Sequence, residues 1–128
     1  MKSVVIDTNV FLRLLLNDIS EQADQVERLI RQAKKEQVKI IVVQIVLFEI
    51  DFILNKYYNF EKQEVIEKLK SLLSASYFMI ESRDIFQQTL MLYKDNNVSF
   101  VDCFLLAKAK IEKAELFTFD KKLQKVRE

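Results

Sequence analysis

Short apolar runs alternate along the chain with longer stretches of helical period. The first run is Val4-Val5-Ile6, three β-branched residues that are stiff at χ1 and suited to a strand. Three apolar positions without alternation predict a strand covered on both faces, as in a parallel sheet between helices. Residues 40–43 (Ile-Ile-Val-Val) repeat the pattern, 77–80 (Tyr-Phe-Met-Ile) give a third strand and 116–119 (Leu-Phe-Thr-Phe) a last one. Between them the period changes to that of helices. Residues 10–16 predict a short, mostly buried helix ending at Asn17-Asp18. Ser20 reads as the cap of a helix over 21–37, with Ala23, Val26, Leu29, Ile30 and Ala33 on one face.

A third helix, over 44–57, is apolar almost all round and therefore central. Asn59 is placed to cap a helix over 61–73 whose buried stripe is Val65, Ile66, Leu69, Leu72 and Leu73. A helix over 83–93 stops at Asp95-Asn96-Asn97, Ser99 opens another that runs to 113, and a short basic helix follows Asp120. Strands separated by helices predict an α/β layer structure with a mainly parallel sheet. No linker, repeat or low-complexity segment interrupts residues 1–128, which read as a single domain. Right-handed crossovers would put the carboxyl ends of the strands on one rim, where ligands of such sheets collect.

Composition removes several kinds of chemistry. The chain has no histidine, no glycine, no proline and one cysteine, Cys103. Ser-His-Asp and Cys-His nucleophiles and histidine-ligated zinc are excluded, as are phosphate-binding loops that need glycine. A single cysteine rules out an internal disulfide and is expected to be a small core residue. Turns that average composition would supply with about nine glycines are expected to fall on Asn and Asp. The net charge of +1 neither predicts nor opposes nucleic-acid binding, because a basic groove can sit within a neutral total. The most apolar stretch, 40–48, is short and broken by Gln44, so no membrane span is expected. Residues 1–7 are too short for a signal-peptide core, and a cytoplasmic location is the default.

Four carboxylates fall where the rim should be. Asp7 follows the first strand, Glu49 lies about one turn into the central helix, Asp102 is in the first turn of the helix opened by Ser99, and Asp120 follows the last strand. Each has an ordinary alternative. Asp7, Thr8 or Asn9 can cap the next helix, and Asp120 can cap the tail helix. Ser99-Phe100-Val101-Asp102 fits a capping box. Glu49 has Ile45, Val46, Phe52 and Ile53 at i±3 and i±4, so its helix face is apolar and the carboxylate is expected to be partnered, neutral or a ligand, since burying it bare is costly. Asp51 has a similar apolar setting, where a solvated or paired role is the simpler one.

Their shared position argues for more than capping. At about 4 Å and an effective dielectric near 20, two carboxylates repel by roughly 4 kcal/mol. Gathering four of them without histidine makes sense around a hard divalent cation, and oxygen-only ligation selects Mg²⁺ or Mn²⁺ over zinc. Such a cation activates water and clamps phosphodiester oxygens, so the chemistry indicated is metal-assisted phosphodiester hydrolysis.

The strand ending in Asp7-Thr8-Asn9, Leu47-Phe48-Glu49, Ser99-Phe100-Val101-Asp102 and Thr118-Phe119-Asp120-Lys121-Lys122-Leu123 together resemble the PIN-domain family. By size the chain is most similar to the stand-alone VapC-type toxins of bacterial toxin–antitoxin pairs. The resemblance spans nearly the whole chain. It implies a three-layer fold with a central sheet of four or five mainly parallel strands flanked by helices. The implied activity is that of a Mg²⁺- or Mn²⁺-dependent endoribonuclease acting on RNA, with a homodimeric state and a cognate antitoxin in the nuclease groove. Carried over residue by residue, Asp7, Glu49, Asp102 and Asp120 become the acidic metal-binding set. Thr8, Asn9, Ser99 and Thr118 become its polar supports. The family often has a proline shortly before the glutamate and glycines in its loops; here Val43-Gln44-Ile45 stands there and glycine is absent.

Candidate RNA contacts are Arg13, one turn beyond the site, and Lys121, Lys122 and Lys125 beside Asp120. The lysines equally suit a solvated face, and Arg13 equally suits an ion pair with Asp18. Rival functions fit less well. Haloacid-dehalogenase-like phosphohydrolases also place Asp after a strand and bind Mg²⁺, but their general acid would fall where Asn9 stands. A phosphorylated-receiver reading lacks the mid-chain strand ending in Asp. A catalytically silent PIN-like interaction module is the third alternative, against which the four acids argue.

Overall fold

A computed structural model describes residues 1–16 and 20–126, with only the backbone described at Ser20. The predicted helix end at Asn17-Asp18, the Ser20 cap and the Arg13–Asp18 pair therefore lie outside the described residues. In chain order the elements are β1 (Lys2–Val5), α1 (Thr8–Leu16), α2 (Ser20–Lys34), β2 (Val38–Val42), α3 (Gln44–Lys56), α4 (Lys62–Ser74), β3 (Phe78–Ile80), α5 (Arg83–Asp95), α6 (Phe100–Ile111) and α7 (Lys121–Val126). The three strands form a parallel sheet in the order β1-β2-β3, and the parallel sheet flanked by helices is the α/β arrangement the sequence implies.

The predicted stripes are the ones that bury. Ala23, Val26, Ile30 and Ala33 of α2 and Val65, Ile66, Leu69, Leu72 and Leu73 of α4 are in the core. On α3, Val46, Leu47, Ile50 and Leu54 are buried. Phe48 packs edge-on against Phe86 (5.4 Å), Phe100 (5.6 Å) and Phe104 (5.0 Å), a geometry that aromatic quadrupoles favour. These rings tie α3 to α5 and α6. Cys103 is buried and free, as its small apolar role requires.

Four expectations need correction. First, the described residues form three strands, not four or five, because 116–119 is not a strand. Leu116 instead lines a groove of about 660 Å³ with Leu92, Leu106 and Ala109, and Phe117 and Phe119 are 79% and 87% exposed. Second, the sheet is not covered on both faces. Val5, Ile41 and Met79 are aligned across the three strands, and Val5 and Met79 are largely exposed. The opposite row of Val4, Ile40 and Phe78 faces the core. With 116–119 elsewhere, β1 is an edge strand.

Third, the turns fall on Asn and Asp only in part. Positive φ occurs at Asn59, as expected, but also at Glu36, Ser82 and Lys113. After α2, Glu36 N–H bonds to Ala33 O (3.0 Å) and Gln37 N–H to Gln32 O (2.9 Å); after α6, Lys113 N–H bonds to Lys110 O (3.2 Å) and Ala114 N–H to Ala109 O (2.8 Å). Both are Schellman closures, whose left-handed residue is usually glycine. Helix-end geometry selects the position, and the chain fills it with Glu and Lys. Fourth, Asn59 does not cap α4. Glu61 does, in a reciprocal capping box with Glu64.

Candidate active site

β1 ends at Val5 and α1 begins at Thr8, so Ile6 and Asp7 form the turn between them. The Ile6 N–H reaches Ile41 O at 3.4 Å, carrying the β1–β2 ladder one residue past the strand. Asp7 then stands at the rim as the N-cap of α1, its Oδ1 accepting the Val10 N–H at 3.2 Å. The capping alternative is therefore real, and it coexists with a second placement. Asp7, Thr8 and Asn9 line one open cleft of about 380 Å³ with Ile45 and Glu49 of α3. Thr8 is buried and donates its hydroxyl to Glu49 Oε1 at 2.8 Å.

Of the outcomes expected for Glu49, a partner is the one observed, Thr8, but Glu49 itself is exposed and carries no cost of burial. Its apolar neighbours Ile45 and Phe52 are 60% and 54% exposed, so the apolar face that it shares is turned to solvent. Asp51 is the carboxylate that bears the cost of burial. Desolvation pushes it from 3.8 up to about 6, against a hydrogen bond from the Tyr93 hydroxyl that lowers it. Asn55 Nδ2 lies 3.2 Å from Asp51 Oδ1 and 3.4 Å from the Tyr93 oxygen. Burial first, then the Asp51 charge, push Tyr93 up to about 12. The paired role expected for Asp51 is the one observed.

Asp102 and Asp120 do not line this cleft. Ser99 caps α6 by accepting the Asp102 N–H at 3.1 Å, one half of the expected box. Asp120 caps α7, its Oδ1 accepting the Leu123 N–H at 3.0 Å, while its own N–H donates to Thr118 Oγ1 at 3.1 Å. Gln124 Nε2 closes this turn on Thr118 O at 2.7 Å. Among the described residues no three Asp, Glu or Cys side chains stand close enough to hold a metal ion. Arg13 is half-buried on α1; Lys121, Lys122 and Lys125 are exposed on α7.

The structure thus assembles half of the predicted set, Asp7 and Glu49 with Thr8 and Asn9. Each carboxylate commits one oxygen to a hydrogen bond, and the donors are oxygen only. That set fits a hard divalent cation and not a soft one. One rim carboxylate is absent from the predicted set. Glu81 directly follows β3 as Asp7 follows the first apolar run, and its Oε1 accepts the N–H of Gln44, the first residue of α3, at 3.1 Å. The pattern Phe78-Met79-Ile80-Glu81, a strand ending in a carboxylate, is the signal that could have found it.

Comparison with known proteins agrees with this architecture. The family model described as "PIN domain" matches residues 4–128. A protein described as "VapC ribonuclease" from Aquifex aeolicus (strain VF5) is 24% identical over 123 residues, which cover 95% of this chain and 90% of the relative. No solved structure gives a significant match. Among the described residues no helix is long and apolar enough to cross a membrane.

Proposed function

Because the chain belongs to the PIN-domain family, we propose that it is a Mg²⁺- or Mn²⁺-dependent endoribonuclease of the VapC toxin type. In this reading it hydrolyses RNA phosphodiester bonds in the cytoplasm as a homodimer of single-domain subunits and is held inactive by a cognate antitoxin. The observation that carries the reading is the joining of Asp7, Thr8 and Glu49 in one open cleft beyond the carboxyl end of β1.

Asp7 and Glu49 would hold the cation, Thr8 fixes the Glu49 carboxylate, and Asn9 at the cleft wall would orient the cluster. When bound, the cation supplies a hydroxide-like water and charge for the phosphoryl oxygens. Asp102 and Asp120 would complete the acidic set, with Ser99 and Thr118 supporting their backbones through the hydrogen bonds already described. Completion requires Leu116 to leave the groove at Leu92 and Leu106 and residues 116–119 to lie along the outer edge of β1. The alternation of Phe117, Thr118 and Phe119 suits an edge strand, and both phenylalanines are available for burial. Arg13, Lys121 and Lys122 are the candidate phosphate contacts.

The test is cleavage of single-stranded RNA by the purified chain. Activity with Mn²⁺ or Mg²⁺ that disappears in EDTA and in Asp7→Asn is the expected result. Full activity in EDTA sinks the reading, and release of phosphate from small phosphomonoesters favours the phosphohydrolase.

A further inference from the structure

Glu81 has no part in the chemistry above, yet it is held firmly. Its backbone N–H donates to Val42 O at 2.9 Å, which extends the β2–β3 ladder by one bond and fixes the residue at the rim. Its carboxylate accepts the Gln44 N–H at 3.1 Å. The next residue, Ser82, takes a left-handed backbone (φ 60°) and donates its hydroxyl to Gln44 Oε1 at 3.1 Å. The first residue of α3 is thus gripped at its backbone and its side chain by two consecutive residues after β3.

The grip fills a specific gap. A helix N-terminus needs acceptors for its first N–H groups, normally from a Ser, Thr, Asp or Asn at the N-cap. The N-cap of α3 is Val43, which makes no side-chain cap. Glu81 provides the missing oxygen from just beyond β3, with a charge that the positive end of the helix favours. Its position differs from that of the cleft acids. It lies in a separate hollow beside Met79 and Arg83 and does not line the cleft of Asp7 and Glu49.

We propose that Glu81 is a positioning residue for Glu49, capping α3 from across the rim so that the Glu49 carboxylate is presented to Asp7 and Thr8. Glu49 follows Gln44 by five residues, less than one and a half turns, so a shift of the first turn carries directly to it. The 2.8 Å bond from Thr8 leaves little tolerance for that shift. The inference rests on the nuclease reading for its consequence, but not for the cap itself.

Two readouts on the full chain separate them: amide exchange of α3 residues 45–48 and Mn²⁺ affinity by calorimetry. In Glu81→Ala the α3 amides are expected to exchange on the order of five- to tenfold faster, the loss of one helix cap, and Mn²⁺ to bind several-fold more weakly. Adding Val43→Ser to Glu81→Ala supplies a local cap and is expected to restore both. Unchanged exchange in Glu81→Ala overturns the proposal. So does weakened Mn²⁺ binding that Val43→Ser fails to restore, which would make Glu81 a direct ligand, and so does faster exchange with Mn²⁺ affinity unchanged. If the unaltered protein binds no Mn²⁺, the metal-nuclease reading falls and the positioning role with it, while the exchange data still decide whether Glu81 caps α3.

Discussion

Thr8 and Glu49, 41 positions apart in the chain, are joined by a hydroxyl–carboxylate hydrogen bond of 2.8 Å. One partner is buried behind the turn after β1 and the other is exposed on α3, so the bond fixes a solvent-facing carboxylate from the core side. Thr8→Val keeps the shape and removes the donor. The expected cost in stability is about 1 kcal/mol, read from urea unfolding, with a clear loss of Mn²⁺ affinity and of RNA cleavage. Thr8→Ser keeps the donor and should keep most of both. Unaltered Mn²⁺ affinity in Thr8→Val would show that Glu49 is oriented without this bond.

Asp7 combines an observed cap with the cation-binding role proposed for it, and substitutions can separate the two. As the cap of α1 it needs an oxygen acceptor for the Val10 N–H, and Asn serves as well as Asp. In the proposed role of cation ligand it needs the charge. Asp7→Asn should therefore leave the melting temperature within about one or two degrees while abolishing cleavage, whereas Asp7→Ala should also lose about 1 kcal/mol of stability. Equal destabilisation by both variants would assign the stability effect to something other than the cap.

Much of this arrangement is legible in the sequence, for reasons that individual residues make clear. The stripe Val65, Ile66, Leu69, Leu72 and Leu73 is read correctly because helical period alone determines which face buries. Asp7 is legible because a β-branched run ends abruptly at it. The fate of 116–119 is not legible, since an apolar tetrad has the same local signature whether it pairs with a strand or places Leu116 in a helix groove. Glu49 and Asp51 are not distinguished by period, because both have apolar neighbours; only the packing of α3 against α5 shows that Asp51 meets Tyr93 and Glu49 faces solvent. The place of Glu81 at the rim is legible as a carboxylate ending an apolar run, but its role is not, because its partner is a backbone N–H 37 positions away and no local pattern records such a cap.

The raised value of Asp51 makes a pH prediction. Its folded value is about 6, against 3.8 for an unperturbed aspartate, so between about pH 4 and 6 the folded chain holds more proton than the unfolded one. Stability from this group is therefore greatest at low pH and falls as pH rises through that window. At about 1.4 kcal/mol per unit the ceiling is near 3 kcal/mol, and partial solvent exposure reduces it to about 1–2 kcal/mol. Asp51→Asn removes the titration. Its stability relative to the unaltered protein should be higher at pH 7.5 than at pH 4.5 by that amount, measured by urea unfolding at both values; no difference would place Asp51 in a better-solvated site.

A chain without glycine closes two helices on left-handed Glu36 (φ 60°) and Lys113 (φ 54°). A Cβ in this region costs roughly 1 kcal/mol, and glycine is the residue such closures favour. Glu36→Gly and Lys113→Gly should each stabilise the protein by about 0.5–1 kcal/mol despite the extra freedom of the unfolded chain. The two sites lie on different helices, so the double variant should show near-additive gains. Ala at either position should give none, because it keeps the Cβ. A loss of stability on Glu36→Gly would mean that the glutamate side chain contributes more than its backbone costs.

The segment 116–119 is where the proposed completion of the acidic set can be tested. As described, Phe117 and Phe119 pack on each other, with ring centroids 5.4 Å apart, and both stand in solvent. Among the described residues no strand pairs with the outer edge of β1, an edge that can template a further strand, and Val5 beside it is largely exposed. Pairing there would bury apolar surface from both partners and carry Asp120 towards Asp7. Repulsion between the two carboxylates opposes that approach until a cation offsets it. Addition of Mn²⁺ should therefore slow amide exchange at residues 117–119 and at Val4 and Val5 together, and Asp7→Asn should reduce the dependence on Mn²⁺ by relieving the repulsion. Slowed exchange at β1 alone, or none in either segment at saturating Mn²⁺, would leave Asp120 as the cap of α7 and confine the metal-binding role to Asp7 and Glu49.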